Sequence, residues 1–164
     1  MRDSGAEWTI VRASWFNQDF SEDFPLEPVR SGEIAVPAGD VAEPFVDCED
    51  IADVVVAAPT ENGHAGQVYE LTGQRLVTFA DAAREIAKAT GREIRYVPVS
   101  PEQYASVLAQ HVPAEHVAAL TDLFGNVLDG RNAHLADGVQ RALGRSPRDF
   151  AEYARDAAVS GVWG

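Results

Sequence analysis

The sequence predicts an α/β fold: a few mostly parallel strands followed by a helical lobe, in one domain over residues 1–164. Three observations carry this. Strand-like and helix-like stretches alternate through the first hundred residues, helical patterns dominate after Ser100, and residues 67–99 read as a strand–helix–strand unit. Such a unit favours parallel pairing, because a crossover helix returns the chain to the same end of the sheet.

The first strand candidate is Trp8 to Ala13, apolar and partly β-branched. Inside a parallel sheet it would be buried on both faces, but here it would lack its usual neighbours. Residues 14–30 read as a helix broken at Pro25 and Pro28, or as a loop with a helical start. Glu33 to Val36 is a short strand that ends at the turn formers Pro37, Gly39 and Asp40. Asp47 is an N-cap for a helix over Ile51 to Ala58, with Asp50 three residues on. Gln67 to Leu71 alternates as a strand does, bringing the number of strands to about four with Ile94 to Val99.

Between those last two lies the clearest helix. Thr78 caps it, Asp81 occupies the box position, Phe79, Ala83, Ile86 and Ala87 make its stripe, and Gly91 ends it. Ser100-Pro101-Glu102-Gln103 is a capping box with Pro at the first helical position. Tyr104, Val107, Leu108 and His111 share one face of that helix, which Pro113 interrupts. A further helix carries Val117, Leu120, Phe124, Val127 and Leu128, and a short one spans Asp137 to Leu143. Ser146 to Asp149 repeats the cap logic ahead of a stripe of Phe150, Tyr153, Ala154 and Ala157.

A net charge of −13 repels phosphate backbones, and no basic block offsets it, so nucleic acid is not expected as a partner. The longest apolar run, Val54 to Pro59, is far short of a membrane span. Absence of an apolar leader after Met1, together with the single cysteine, Cys48, fits a cytoplasmic protein in a reducing compartment. Acidic neighbours should keep the Cys48 thiol protonated.

Several chemistries lack their residues. Among the 13 glycines, Gly63-x-x-Gly66 lies in a turn before a strand, where a dinucleotide fingerprint would follow one. None of the four tyrosines has a Lys four residues on. There is no Gly-x-Ser-x-Gly elbow and no His-Glu-x-x-His; His111 and His116 are five apart across Pro113, so no metal site is expected.

Two stretches remain. In "WTIVRASWFNQDF" and "PFVDCEDIA", aromatic and polar groups cluster at element boundaries. Ligands of open α/β sheets bind beyond the carboxyl ends of strands. Trp15, Phe16 and Phe45 could stack on a flat ring while Asn17 or Gln18 hydrogen-bonds its edge. The alternative is that Trp15 and Phe16 anchor a helix in the core, Asn17 faces solvent, and Asp47 and Asp50 are helix caps.

These stretches, with "GQVYELTG", "TFADAAREIAKATGREIRYVPVSPEQY" and "LGRSPRDFAEYARD" in that order, resemble NmrA-like proteins. These are atypical short-chain dehydrogenase/reductases, and the nearest type is the NAD(P)H:quinone oxidoreductases. The resemblance implies a Rossmann-like fold of which this chain is the C-terminal, substrate-side half, without the half that carries the glycine-rich phosphate loop. It implies NAD(P)H as cofactor, with Arg12, Ala13 and Ser14 on the cofactor side. Trp15, Phe16, Asn17, Phe45 and Asp47 would lie on the side of a small-molecule substrate. Ala13 stands where many relatives have Pro.

Three functions follow from the resemblance: hydride transfer from NAD(P)H to a quinone or similar flat acceptor, dinucleotide sensing without turnover, or an inactive part that needs a partner. An apolar edge at Trp8 to Ala13 predicts self-association or pairing with the missing half.

Overall fold

A computed structural model of the chain describes residues 5–110 and 112–164. His111, placed by its spacing on the Tyr104 face, lies outside the described residues. Among the described residues, six strand segments form three two-stranded ladders. β1 (Ile10–Ala13) pairs in parallel with β4 (Val68–Leu71), Ile10 opposite Val68 and Ala13 opposite Leu71. β2 (Glu33–Val36) pairs in parallel with β6 (Arg95–Pro98). β3 (Ala42–Glu43) pairs antiparallel with β5 (Val77–Thr78).

Several expectations change here. The strands over residues 67–99 are parallel members of different ladders, so that unit does not close on itself. The two-residue β5 turns the chain toward β3 first, and α4 (Phe79–Thr90) then delivers it to β2. β1 is shorter than Trp8–Ala13 because the preceding backbone serves the turn before β4. Gly66 N donates to Trp8 O at 2.7 Å and Thr9 Oγ1 to His64 O at 2.7 Å. As expected of a strand without its usual neighbours, β1 is not buried on both faces. Among the described residues only β4 flanks it, leaving Ile10 and Val11 half-buried and Arg12 and Ala13 exposed.

The break at Pro25 separates α1 (Asp19–Glu22) from α2 (Leu26–Ser31). Pro28 sits inside α2, not at a break, in the first turn where a backbone N–H has no helical partner. α3 (Cys48–Thr60) starts behind the Asp47 cap, which accepts from Glu49 N at 2.9 Å, and so begins earlier and ends later than residues 51–58. In α4 the Thr78–Asp81 box closes in both directions, and Gly91 takes φ 69° after the last turn. α5 (Pro101–Leu108) forms behind the Ser100–Gln103 box. Val107, expected on its packed face, is 57% exposed; Tyr104 and Leu108, four apart, make the contact.

α6 (Ala114–Val127), α7 (Gly138–Leu143) and α8 (Phe150–Ser160) complete the helical lobe. α8 is capped by Asp149, which accepts from Ala151 N at 2.9 Å, rather than by Ser146. The reason is Asp50. It is fully buried and no cap: it accepts from Arg148 N at 2.7 Å, the Arg148 guanidinium at 2.5 Å and Arg145 at 2.7 Å. Those bonds hold residues 145–149 as an extended strap against α3.

Four phenylalanines make the centre of the core. Phe20 lies 5.3, 5.7 and 5.4 Å from the rings of Phe45, Phe79 and Phe150, from three other segments of the chain. Trp163, buried near the chain end, donates its Nε1 hydrogen to Phe20 O at 2.8 Å. Tilted and edge-on rings at these separations are the favoured geometry. They fix α1 immediately beyond the exit of β1.

Candidate functional site

Because β1 and β4 are parallel, both leave the ladder at one edge, and Ser14 N still reaches Leu71 O there at 3.1 Å. The departing chain is tied to a second strand exit. Val46 N donates to Trp15 O at 2.8 Å and Asn17 N to Val46 O at 2.9 Å. A third segment is pressed against this one: a Cβ on Gly73 would lie 1.9 Å from Phe45 O, so only glycine fits.

A cavity of about 570 Å³ opens at this edge. Arg12 to Phe16 and the β4 exit, Glu70 to Thr72, line one side; Leu120, Leu123 and Val127 of α6 line the other. Beyond α6 the loop through Asn132 and His134 closes the rim, where His134 Nε2 lies 2.8 Å from Glu70 Oε1. Thr72 Oγ1 secures that loop by accepting from Ala136 N at 3.0 Å.

The structure brings Arg12, Ala13, Ser14, Trp15 and Phe16 together on this wall. Trp15 is half-buried and stacks on Phe124, rings 6.1 Å apart and 22° from parallel, while Phe16 is 39% exposed. Neither belongs to a helix, since α1 starts at Asp19. Asn17, Phe45 and Asp47 lie outside the wall, all buried. Phe45 belongs to the four-ring core. Asn17 does not face solvent: its Nδ2 donates to Asp47 Oδ2 at 3.4 Å. Its Oδ1 has no partner among the described residues.

Two carboxyls nearby are perturbed. Burial pushes Asp19, on the cavity wall, up to about 6; the neighbouring Asp23 adds to this, and the Phe16 N–H at 3.2 Å opposes it. Burial pushes Glu43 up to about 7, with Asp129 adding and His134 opposing. Glu43 is fully enclosed, and neither carboxyl oxygen has a partner among the described residues. Cys48 is driven up to about 11 by burial first and then by Asp47 and other acids, so its thiol is inert at neutral pH. No cluster of three potential metal ligands occurs among the described residues, and no helix there is long and apolar enough to cross a membrane.

Sequence reasoning missed Asp19, Phe24, Glu70, Asn132, His134 and the α6 residues of the cavity. Glu70 was findable, being the outward residue at the end of β1's partner strand. Asp19 and Phe24 follow β1 directly in the chain, at α1 and the turn after it; Asn132, His134 and the α6 residues arrive from the helical lobe by tertiary packing, which no local pattern announces.

The architecture is that of Rossmann-like reductases. The NADPH-dependent quinone oxidoreductase of Escherichia coli superposes with a TM-score of 0.80 at 24% identity, over 94% of this chain and 56% of that one. The triphenylmethane reductase of Citrobacter sp. gives 0.82 at 22% identity, over 96% and 55%. The chain belongs to the NmrA-like family, whose pattern it matches over residues 1–154. An NAD(P)H azoreductase of Xenophilus azovorans is 31% identical over 162 residues, 98% of this chain and 56% of the relative. Agroclavine dehydrogenase of Claviceps fusiformis is 31% identical over 93% of this chain and 54% of its own length. The chain thus spans about half the length of the relatives it matches.

Proposed function

We propose that this chain is the substrate-side part of an NAD(P)H-dependent reductase acting on a flat, conjugated acceptor such as a quinone. The observation that carries the reading is the cavity at the shared carboxyl edge of β1 and β4, walled by Arg12 to Phe16. Family membership and the azoreductase likeness support it.

The cofactor fits in part. The cavity has room for a nicotinamide ring beside an acceptor, with Arg12, Ala13 and Ser14 toward the cofactor and Trp15 and Phe16 toward the acceptor. Asn17, Phe45 and Asp47 serve by holding that wall in place. A pyrophosphate cradle is another matter. Gly63 and Gly66 sit beside Trp8 and Gln67 at the opposite, amino end of the ladder. The cradle would therefore come from another unit, pairing along the free edge of β1. When bound, the cofactor supplies hydride; this chain aligns the acceptor and excludes water from it.

The test is titration of NADPH and NADH into the purified chain, read by tryptophan fluorescence, with a quinone added afterwards. The expected result is weak cofactor binding, on the order of millimolar, and saturable quenching by the quinone that Trp15→Ala abolishes. A quench that Trp15→Ala leaves unchanged, or none at all, would overturn the reading.

A further inference from the structure

We propose that Asn62-Gly63 is a self-modifying site: in the folded chain the Gly63 nitrogen closes on the Asn62 side chain, expels ammonia, and the ring reopens as aspartate or isoaspartate. The site lies in the turn from α3 to β4, at the end of the ladder away from the cavity, and does not depend on how the cavity is read.

Three features of this turn carry the inference. The first is a free electrophile. Asn62 is exposed, and its side-chain amide makes no hydrogen bond among the described residues. The other three asparagines are held: Asn17 is buried against Asp47, Asn126 lies inside α6, and Asn132 donates to Val127 O at 3.4 Å. The second is a free nucleophile. The Gly63 N–H donates to nothing among the described residues. Gly63 takes φ 100° in open space, with nothing within 4 Å of where a Cβ would stand, so no side chain shields its nitrogen. The third is access for water. Asn62 and Gly63 line a groove of about 630 Å³ together with Thr60, Glu61 and Ala65.

The Gly63 amide first loses its proton to base in the solvent. Its nitrogen bonds to Asn62 Cγ, the bond from Cγ to the side-chain nitrogen breaks, and that nitrogen takes a proton from water and leaves as ammonia. One water then opens the cyclic imide. Attack at Cγ restores the normal backbone and gives aspartate; attack at the main-chain carbonyl gives isoaspartate, whose backbone runs through Cβ and is one methylene longer. In sum one water enters, one ammonia leaves, and the residue gains a negative charge. The added methylene falls between fixed points. Glu61 N donates to Ala57 O at 2.9 Å on one side. On the other, His64 is buried, with Nδ1 2.9 Å from the Tyr69 hydroxyl and its carbonyl accepting from Thr9 Oγ1 at 2.7 Å.

The test is incubation of the full chain in mildly alkaline buffer, folded and, in parallel, unfolded in guanidinium chloride, with peptide mass spectrometry at intervals. In the folded chain Asn62 should convert at least about tenfold faster than Asn17, Asn126 or Asn132. Its folded rate should also lie within about tenfold of its unfolded rate, since nothing in the turn holds either reacting group. Aspartate and isoaspartate peptides should appear together, the signature of the imide. Gly63→Ala should slow the conversion several-fold in guanidinium chloride, where the strain of its native φ plays no part. Folding that slows Asn62 by more than about tenfold, or a rate no faster than that of the other asparagines, would overturn the proposal. So would aspartate as the sole product, which marks direct hydrolysis, or a Gly63→Ala chain that converts as fast as the parent.

Discussion

Gln18 and Asp47 meet at 2.9 Å, Nε2 donating to Oδ1, and Gln18 Oε1 in turn accepts from Cys48 N at 2.9 Å. The chain leaving β1 therefore grips the first turn of α3 twice, and Asp47 also serves Glu49 N and Asn17 Nδ2. The cap and the cavity wall are one structure.

It follows that Asp47→Ala removes a helix cap and leaves the buried Asn17 amide without its acceptor. A lost cap costs about 1 kcal/mol and an orphaned buried donor about 1–3 more. Urea unfolding should show a loss of about 2–4 kcal/mol for Asp47→Ala and about 1 kcal/mol for the half-buried Gln18→Ala. Equal, small losses would mean that Asp47 acts as an ordinary exposed cap.

This junction also shows what could be read in advance. Thr78, Ser100 and Asp47 cap their helices as their spacing indicates, because a cap is a local bond between residues two or three apart. Asp50 carries the same local signal and does something else, since two arginines almost a hundred residues away claim it. Trp15 and Phe16 stand at a strand exit, where spacing alone left a cavity wall and a helix-anchoring core position both open; they line the cavity. Phe45, equally aromatic at an equally plausible boundary, went to the core. Only the packing of Phe20, Phe79 and Phe150 decides that, and no periodicity encodes it.

Glu43 makes stability depend on pH in an unusual direction. Its carboxyl ionises near 4.5 in the unfolded chain and about 7 in the folded one, so the native state holds the extra proton between those values. The contribution is fully present below about 4.5 and is lost as pH rises through about 7. A shift of this size corresponds to at most about 3 kcal/mol. Asp19, raised to about 6, acts in the same sense over a lower window. Glu43→Gln, which cannot ionise, should be more stable than the parent at roughly pH 8 and equal to it at roughly pH 4, by thermal melts at both. A variant less stable at the higher pH would mean that the carboxylate has a partner in solution.

Phe16 and Phe45 separate the wall from the core by one substitution each. Phe45 is 2% exposed among three other rings, and truncating such a side chain costs about 3–5 kcal/mol. Phe16 is 39% exposed and holds the Val46 bridge through its backbone, which an alanine retains. Phe16→Ala should therefore unfold within about 1 kcal/mol of the parent, because little apolar surface leaves a packed environment. Its saturable quench by a quinone should weaken several-fold, while any Phe45→Ala protein that folds should lose affinity only in step with its folded fraction. Comparing the chemical-denaturation midpoint with the quinone titration for each variant decides the matter. A large stability loss at Phe16 with unchanged affinity would make it a packing residue, and the aromatic side of the cavity would then rest on Trp15 and Phe24.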